Sequence, residues 1–375
     1  MKDELSHRWT TLKIKADLLC MGIRFNDAAR DIYRRQNPCF DTKTGNVGIH
    51  LVLDSRSYVL VTVSHAFDQQ SPYFLAYHDS QLVLMNDGRI VSHVHVTETP
   101  MPNWYSNKTT TGSLMPSFFL HEGKSFLHQA YSGCDFHSLE LACKFCGTGS
   151  SWKIGTHIEI GETVAAAVEE NQGYHVCLGG GTRMPGKRNI DYFAECITSI
   201  RERNVTVPIW IEMTPSENNS DILNLVELGA NSFGFNIEIW DDAMRKEICP
   251  GKSSISKNRY LGASSEVLSA LGPNRVGSCL VIGLESIDSS IEGATTLAEN
   301  GIQPCILPFK PWDKSSFKKM TPCKAEDLIQ VSKCATEAMI KNRISPADNQ
   351  GCLLCDGCTI DHDMYELLVA EGRQL

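Results

Sequence analysis

The sequence predicts an α/β protein in three parts: an N-terminal α+β domain (1–125), a partial six-stranded (β/α)6 barrel (126–341) and a C-terminal cysteine-rich extension (342–375). Three observations support this. Short strands with turn signals fill residues 47–96, strands alternate with amphipathic helices from about residue 126, and cysteines cluster twice. Alternating strands and helices predict a parallel sheet with right-handed crossovers. Six repeats suit a partial barrel, because a complete eight-fold barrel needs about 250 residues.

The first part begins with helical spacing of apolar residues over 12–34. Asn86-Asp87-Gly88 predicts a hairpin turn between two of the strands that follow. Residues 98–115 are rich in turn-forming residues and predict a linker or lid. The strands expected in this part are 47–53, 58–63, 73–77, 81–85 and 90–96.

The second part shows six strand-like runs, each followed by a helical pattern. The expected strands are 126–131, 174–178, 207–213, 232–239, 276–282 and 303–309. The expected helices are 161–171, 189–203, 221–228, 259–271, 286–300 and 325–341. In such a barrel the residues that follow each strand gather at the catalytic, carboxyl-terminal rim.

Composition narrows the possible partners. The chain has 375 residues, and its net charge of −9 argues against nucleic acid as the main partner. No apolar run is long enough to span a bilayer, and residues 1–8 carry no apolar signal core. We therefore read the 15 cysteines as reduced thiols or metal ligands in a cytoplasmic protein without membrane partners.

The first cysteine cluster follows the first barrel strand and contains Cys134, Cys143 and Cys146. Thiolates are soft ligands, and clustered thiols in a reducing compartment indicate zinc or an iron–sulfur cluster. A four-iron cluster held by only three cysteines keeps one iron free for a substrate. A structural zinc site stays open as an alternative.

The segment Cys143-Lys144-Phe145-Cys146-Gly147 resembles the end of the Cys-x-x-x-Cys-x-x-Cys motif of the radical S-adenosylmethionine (SAM) enzymes. The spacing is atypical: eight residues separate Cys134 from Cys143, and Leu139 fills the usual position of the first cysteine. The resemblance implies that Cys134, Cys143 and Cys146 hold a [4Fe-4S] cluster. It also implies that the free iron binds the amino and carboxylate groups of SAM, and that Phe145 shapes the adenine site.

After the second strand come Gly179, Gly180, Gly181 and Thr182. Glycines let the backbone approach a ligand closely. This run resembles the family's Gly-Gly-Glu-type motif, whose backbone carbonyls hold the SAM amino group, with Thr182 in place of the acidic residue. A tight turn or a phosphate loop could also explain it, although the Lys-Ser/Thr ending of a P-loop is absent.

The third and fourth strands each end in polar residues. Glu212 stands among apolar neighbours, so it is expected to form a salt bridge or to contact a ligand. Asn236 and Glu238 lie two residues apart and share one face. They resemble the Asn-x-Asp pair that holds the SAM ribose in biotin synthase-like enzymes of this family.

A cation after the fourth strand would pair with the SAM carboxylate. Lys252 and Arg259 are the candidates, and solvated surface charge is the alternative for each. The fifth strand, which ends near Glu285, partly resembles the family's Gly-x-Ile-x-Gly-x-x-Glu element, with Cys279 in place of the first glycine.

The C-terminal run Cys352-Leu353-Leu354-Cys355-Asp356-Gly357-Cys358 indicates a second iron–sulfur cluster, with zinc as the alternative. Its fourth ligand could be Cys323, Cys249 or His362, or the position could stay open for substrate. The strand cysteines Cys177, Cys279 and Cys305 are expected to be small buried hydrophobes, with cluster ligation as the minority interpretation.

The sequence thus predicts a radical SAM enzyme, closest to the biotin synthase-like and hydrogenase-cofactor-maturation branches. Its 5′-deoxyadenosyl radical would abstract hydrogen from a small-molecule substrate in natural-product or cofactor biosynthesis. A flavodoxin- or ferredoxin-type protein would supply electrons, and the N-terminal domain would cap the barrel. Methyl or 3-amino-3-carboxypropyl transfer from SAM, and a zinc-stabilised binding protein, are the alternatives.

Overall fold

The protein is described by a computed structural model. The described residues are 2–36, 48–63, 65–79, 81–96, 101–122, 126–129, 133–147, 149, 154–171, 175–183 and 189–372. Among these residues, no helix combines the length and the apolar character needed to cross a membrane.

The N-terminal unit is a six-stranded sheet with two helices, in the order β1-β4-β5-β6-β2-β3. The helix expected over 12–34 is in fact two helices, because Gly22 adopts a positive φ of 68° and ends the first one. The hairpin predicted at Asn86-Asp87-Gly88 is confirmed, since Asn86 pairs with Arg89 across it. The elements are α1 (Lys2–Met21), β1 (Arg24–Phe25), α2 (Asp27–Gln36), β2 (Gly48–Leu53), β3 (Ser57–Thr62), β4 (Tyr73–His78), β5 (Gln81–Asn86) and β6 (Arg89–Val96).

The second unit is a seven-stranded sheet in the order β13-β12-β11-β10-β9-β8-β7. The predicted α/β fold with a parallel sheet is confirmed: neighbours from β8 to β13 are parallel, and only β7 and β8 are antiparallel. Its elements are β7 (Phe119–Glu122), β8 (Phe126–Gln129), α3 (Asp135–Ser138), α4 (His157–Glu170), β9 (His175–Gly179), α5 (Asn189–Arg201), β10 (Ile209–Glu212), α6 (Asn219–Glu227), β11 (Ser232–Gly234), α7 (Asp242–Ile248), α8 (Pro250–Ser253), α9 (Lys257–Leu271), β12 (Val276–Ile282), α10 (Ile287–Glu299), β13 (Gln303–Pro308), α11 (Ala325–Lys341), α12 (Cys352–Cys355) and α13 (Asp361–Ala370).

Two stretches differ from expectation. The strand expected over 232–239 ends at Gly234, and Glu238 further on takes a positive φ of 71°, which ordinary strand residues do not adopt. The described part of the expected linker or lid, 101–115, packs against α4. There Trp104 is buried, and Glu170 accepts a hydrogen bond from the Asn103 N–H at 3.0 Å.

The N-terminal unit and the C-terminal segment pack on each other. Helix α1 contacts both α11 and α13, and strand β3 reaches the cysteine-rich segment through a hydrogen bond from Leu60 N–H to Gly357 O at 2.7 Å. The carboxyl ends of β8–β13 therefore lie near residues from both ends of the chain.

Candidate active site

The first cysteine loop is fixed by backbone contacts to the glycine run after β9. Asp135 N–H donates to Thr182 O at 2.9 Å, and Cys134 N–H donates to Gly149 O at 3.1 Å. Cys146 N–H donates to Cys143 O at 3.0 Å, which closes a tight turn around Phe145. These contacts hold the three cysteines of the loop at the edge where the parallel strands end.

The far side of this loop is held by the segment that joins α7 to α8. Gly251 N–H donates to Leu141 O, and Lys144 N–H donates to Ile248 O, at 3.0 and 2.9 Å. Phe136 lies flat against Gly251, where an added Cβ would approach the Phe136 ring to 2.6 Å. The loop is consequently locked beside α8, the helix that carries Lys252.

These elements surround a cavity of about 270 Å³, which we call the rim cavity. Nearly all of the SAM and cluster residues expected from the sequence reach it. Its lining includes Cys134, Cys143, Phe145, Cys146, Gly179, Gly180, Gly181, Thr182, Glu212, Asn236, Glu238 and Lys252.

Within the first cysteine cluster, the Cys143 thiol has a neighbour that the motif does not show. A hydrogen bond from the buried Cys249 thiol lowers the pKa of Cys143, and the positive charge of Lys252 acts in the same direction. The pKa of Cys249 is raised by that contact, so Cys249 stays the proton donor. Burial raises the pKa of Cys134, whose Sγ also lies 3.7 Å from Thr182 O.

The side chain of Asn236 is fixed between two strands. Its Nδ2 donates to Glu212 Oε1 at 2.7 Å, and its Oδ1 accepts from Cys279 N–H at 3.1 Å. Gly179 lies directly across, since a Cβ there would sit 3.2 Å from the Cβ of Glu212. Glu212 therefore takes part in a hydrogen bond rather than a salt bridge and presents its other oxygen beside the glycine run.

Glu238 and Lys252 form an ion pair at the wall of the rim cavity, with Nζ and Oε1 2.6 Å apart. Lys252 also donates to Asn236 O at 3.2 Å. Burial would lower the pKa of Lys252, but the negative charges of Glu238 and Cys143 outweigh it and raise that pKa well above its usual value. The positive φ of Glu238 is the kind of backbone strain that clusters at functional sites.

Arg259, the other cation expected near SAM, lies elsewhere. Its Nε donates to Ser216 O at 2.6 Å, and it lines a separate cavity beside α6 and α9. Of the two candidates, only Lys252 reaches the rim cavity. Glu285 is also a structural residue, because its carboxylate accepts the Trp240 and Asp241 N–H groups at 3.0 and 2.6 Å.

A second cavity of about 330 Å³, which we call the inner cavity, adjoins the first. Phe145, Glu212, Asn236 and Glu238 line both. Five cysteines reach the inner cavity, namely Cys279, Cys305, Cys352, Cys355 and Cys358.

The C-terminal cysteines reach this cavity because their segment is folded against the sheet. Leu353 is buried beside Gly277, where an added Cβ would lie 2.0 Å from Leu353 Cδ1. Gly351 takes a positive φ of 62° against the ring of Trp210. Cys352 is exposed and is one of the residues that line the inner cavity.

A buried lysine from the N-terminal unit holds the turn between the second and third C-terminal cysteines. The Nζ of Lys15, a fully buried residue, lies 2.6 Å from Asp356 and 2.7 Å from Asp363. Asp356 adopts a positive φ of 55° between Cys355 and Cys358. The attraction of the two carboxylates overcomes the burial of Lys15 and raises its pKa, so this lysine is charged.

The strand cysteines lie deeper. Cys279 and Cys305 occupy the same register on the neighbouring strands β12 and β13, so their side chains share a face. Cys177 packs with Trp210 and Leu353 in a buried cluster. Of the residues considered as a fourth ligand, Cys249 lies beside Cys143, Cys323 lies beside Cys20, and His362 contacts Leu353 O at 2.9 Å.

The donor set of the rim cavity suits an iron–sulfur cluster. Three thiol side chains from one loop face a wall of glycines that leaves room beside them. Soft thiolate ligands select iron–sulfur clusters, zinc or copper(I). Among the described residues, no three His, Cys, Asp or Glu side chains converge closely enough for a single metal ion.

Sequence reasoning missed two residues of this region. Cys249 lies over a hundred positions from Cys143, and no spacing rule connects them. The sequence did contain an indication that Lys15 is buried, because this residue interrupts the apolar face formed by Leu12, Ala16 and Leu19 on α1. A lysine on a buried helix face calls for a carboxylate partner.

Comparisons with known proteins show what the chain is similar to. No family model matches the chain. A bacteriochlorophyllide c C-7(1)-hydroxylase from Chlorobaculum limnaeum is 22% identical over 264 residues, which span 64% of this chain and 66% of the hydroxylase. Among solved structures, HydG, a maturase of the [FeFe]-hydrogenase, matches with a TM-score of 0.46 and 17% identity over 60% of this chain and 52% of its own. The radical SAM enzyme HemN from Escherichia coli matches with a TM-score of 0.40 and 14% identity over 58% of this chain and 53% of its own.

The site places the thiol side chains of Cys134, Cys143 and Cys146 beside a cavity of about 270 Å³. The sequence motifs resemble those of the radical SAM superfamily, and HemN, one of the solved structures to which the chain is similar, is a radical SAM enzyme. A [4Fe-4S] cluster and SAM are the cofactors that this superfamily implies.

Proposed function

We propose that this protein cleaves SAM reductively at a [4Fe-4S] cluster and uses the 5′-deoxyadenosyl radical to take hydrogen from a small molecule. One observation carries the proposal: three loop thiols, a glycine run, an amide–carboxylate network and a buried lysine line one cavity. These groups come from the carboxyl ends of β9 and β10, from the segments that follow β8, β9 and β11, and from α8.

In this proposal Cys134, Cys143 and Cys146 hold the cluster. Bound there, the cluster supplies the open iron and the electron with which SAM is cleaved to methionine and the radical. The Cys249 thiol and the Lys252 ammonium both stabilise the thiolate form of Cys143, which is the form that ligates iron.

The other residues of the rim cavity would bind and orient SAM. The carbonyls of Gly179, Gly180 and Gly181 would accept hydrogen bonds from the methionine amino group, and Lys252 would face its carboxylate. Glu238 would accept from the ribose hydroxyls once Lys252 turns toward the substrate, while the bond to Asn236 holds Glu212 beside the glycine run. Phe145, which lines both cavities, would contact adenine and restrict water.

The inner cavity would hold the substrate, because it shares four residues with the rim cavity and so begins where the radical forms. We further propose a second iron–sulfur cluster on Cys352, Cys355 and Cys358, at the end of the inner cavity held by Lys15. Cavities of about 300 Å³ or more are typical of small-molecule sites. The relative named as a hydroxylase supports a reaction at a carbon–hydrogen bond.

Electrons would come from a flavodoxin- or ferredoxin-type protein, and the product would belong to natural-product or cofactor biosynthesis. A cytoplasmic location and the division of the chain near residues 125 and 341 remain predictions of the sequence.

Anaerobic reconstitution with iron and sulfide, followed by SAM and dithionite, tests the proposal. We expect 5′-deoxyadenosine and methionine, and we expect both to disappear in the Cys143→Ala variant. The Cys196→Ala variant is a matched control, because Cys196 is buried in α5 and lines neither cavity. Methylthioadenosine as product would indicate aminocarboxypropyl transfer, S-adenosylhomocysteine would indicate methyl transfer, and zinc without iron would refute the redox function.

A further inference from the structure

We propose that the inner cavity binds its substrate through an anionic group, such as a carboxylate, which pairs with the ammonium of Lys310. The inference rests on the proposed function only in taking the inner cavity as the substrate site. The first observation is burial: Lys310 retains 9% of its surface and lines the inner cavity just after β13.

Lys310 has no counter-ion among the described residues. Within the part of the chain that the structure describes, Lys310 forms no ion pair and no side-chain hydrogen bond, and its Nζ keeps some accessible surface. Its one side-chain contact of note is the ring of Trp312, whose centre lies 5.7 Å from Nζ. An ammonium that is accessible at a cavity wall and has no carboxylate partner among the described residues can form a charge-assisted hydrogen bond with an anionic ligand.

The acidic residues around the inner cavity are already engaged. Glu212 accepts from Asn236, Glu238 pairs with Lys252, and Asp356 pairs with Lys15. Asp361 accepts the Ile306 N–H at 3.0 Å, and burial raises its pKa to about 7. Among the described residues that line this cavity, Lys310 is the sole lysine or arginine.

The charge of Lys310 acts to lower the pKa of Asp68 in the N-terminal unit, but the two residues do not form an ion pair. Its two carboxylate oxygens accept from the Thr62 hydroxyl at 2.7 Å and from the His65 N–H at 2.9 Å. The ammonium of Lys310 is therefore left for a ligand.

The wall next to Lys310 is apolar. It contains Val281, Leu307, Pro308, Phe309 and Trp312. The N-terminal unit supports this wall, because the His65 ring packs edge-on against Trp312 with centroids 4.7 Å apart. The complementary ligand thus has an apolar body and an anionic group, and the N-terminal unit supports one wall of its pocket.

A matched pair of probes tests this inference on the reconstituted protein: naphthalene-1-acetate and naphthalene-1-acetamide, which share a body and differ in charge. Anaerobic calorimetry should show that the wild type binds the acetate at least about ten-fold more tightly than the amide, as expected for a charge-assisted bond. The Lys310→Met variant should lose that preference, and Lys310→Arg should retain most of it. Lys314→Met, which changes an exposed lysine four positions away, should behave as wild type.

Circular dichroism and gel filtration would establish that the Lys310 variants fold. A wild type that does not prefer the acetate, or a folded Lys310→Met variant that keeps the preference, overturns the inference. SAM cleavage by the wild type is assayed in parallel without probe. Cleavage without an acetate preference refutes the anion site alone, whereas a Lys310-dependent preference without cleavage supports the site and refutes the proposed function.

Discussion

Replacing Lys252 with methionine should damage both the stability of the protein and its affinity for SAM. The ammonium lies 2.6 Å from Glu238, and the two side chains retain 17% and 13% of their exposure. Removing one partner of such a buried pair leaves the other charge uncompensated and costs about 3–5 kcal/mol. Because both side chains keep some contact with the cavity, we expect the free energy of unfolding to fall by about 3 kcal/mol.

The loss of SAM affinity should be separable from the loss of stability. Without Lys252, the methionine carboxylate of SAM loses a charge-assisted hydrogen bond and faces the carboxylate of Glu238. A bond of that kind contributes about 1.5–3 kcal/mol, so the Kd for SAM should rise about ten- to a hundred-fold. The double variant Glu238→Gln/Lys252→Met should regain most of the stability, because no unpaired charge remains, but it should not regain SAM affinity.

Urea unfolding and anaerobic equilibrium dialysis with SAM measure the two quantities. Lys257→Met is the matched control: Lys257 lies over the Trp240 ring at 4.5 Å, pairs with Asp242, and lines neither cavity. It should leave the Kd for SAM unchanged. A stable Lys252→Met variant that binds SAM like the wild type would refute the role assigned to this pair.

Three further predictions concern the scaffold. Gly277→Ala places a Cβ 2.0 Å from Leu353 Cδ1, so the free energy of unfolding in urea should fall by about 1–3 kcal/mol and the proposed second site should lose iron. Unchanged stability and iron content would contradict the packing of Leu353 against Gly277. Lys15→Met should lower the free energy of unfolding by about 3–5 kcal/mol, because it leaves the buried carboxylates of Asp356 and Asp363 without a cation. The control Lys13→Met changes an exposed lysine on the same helix and should alter stability little. Equal effects of the two substitutions would contradict the buried ion pairs of Lys15. Burial raises the pKa of Glu285, so the folded state holds its proton more tightly than the unfolded state, and wild-type stability should fall as the pH rises from the unfolded pKa through the raised folded one. Urea unfolding between pH 4 and 7 should show this loss of stability in the wild type but not in the Glu285→Gln variant. If the two proteins lose stability in parallel as the pH rises, Glu285 is not its cause.

Much of the fold was predictable because its signals are local. Strand β12 and helix α11 have the bounds that hydrophobic periodicity gave, since each is bordered by clear turn or capping residues. The prediction of one helix over 12–34 was wrong, and the reason is also local. Apolar spacing continues past Gly22, but the positive φ of that glycine ends α1 and redirects the chain into β1.

The candidate site was predictable where a motif is contiguous or lies at a strand end, as with Cys143, Cys146 and Gly180. What the sequence could not provide is contact between distant segments. The Cys143–Cys249 and Lys15–Asp356 contacts depend on how helices pack on the sheet, and spacing along the chain does not encode that packing. The choice between Lys252 and Arg259 needed the structure for the same reason, because α9 directs Arg259 into a different cavity.

The central claim is that three thiols of one loop support reductive cleavage of SAM. The most direct test is a single-turnover reaction of the anaerobically reconstituted protein with SAM and dithionite, followed by analysis of the nucleoside product. We expect 5′-deoxyadenosine in an amount limited by the iron bound at Cys134, Cys143 and Cys146, and none from a variant that lacks these cysteines. Recovery of intact SAM from an iron-loaded, dithionite-reduced protein would contradict it.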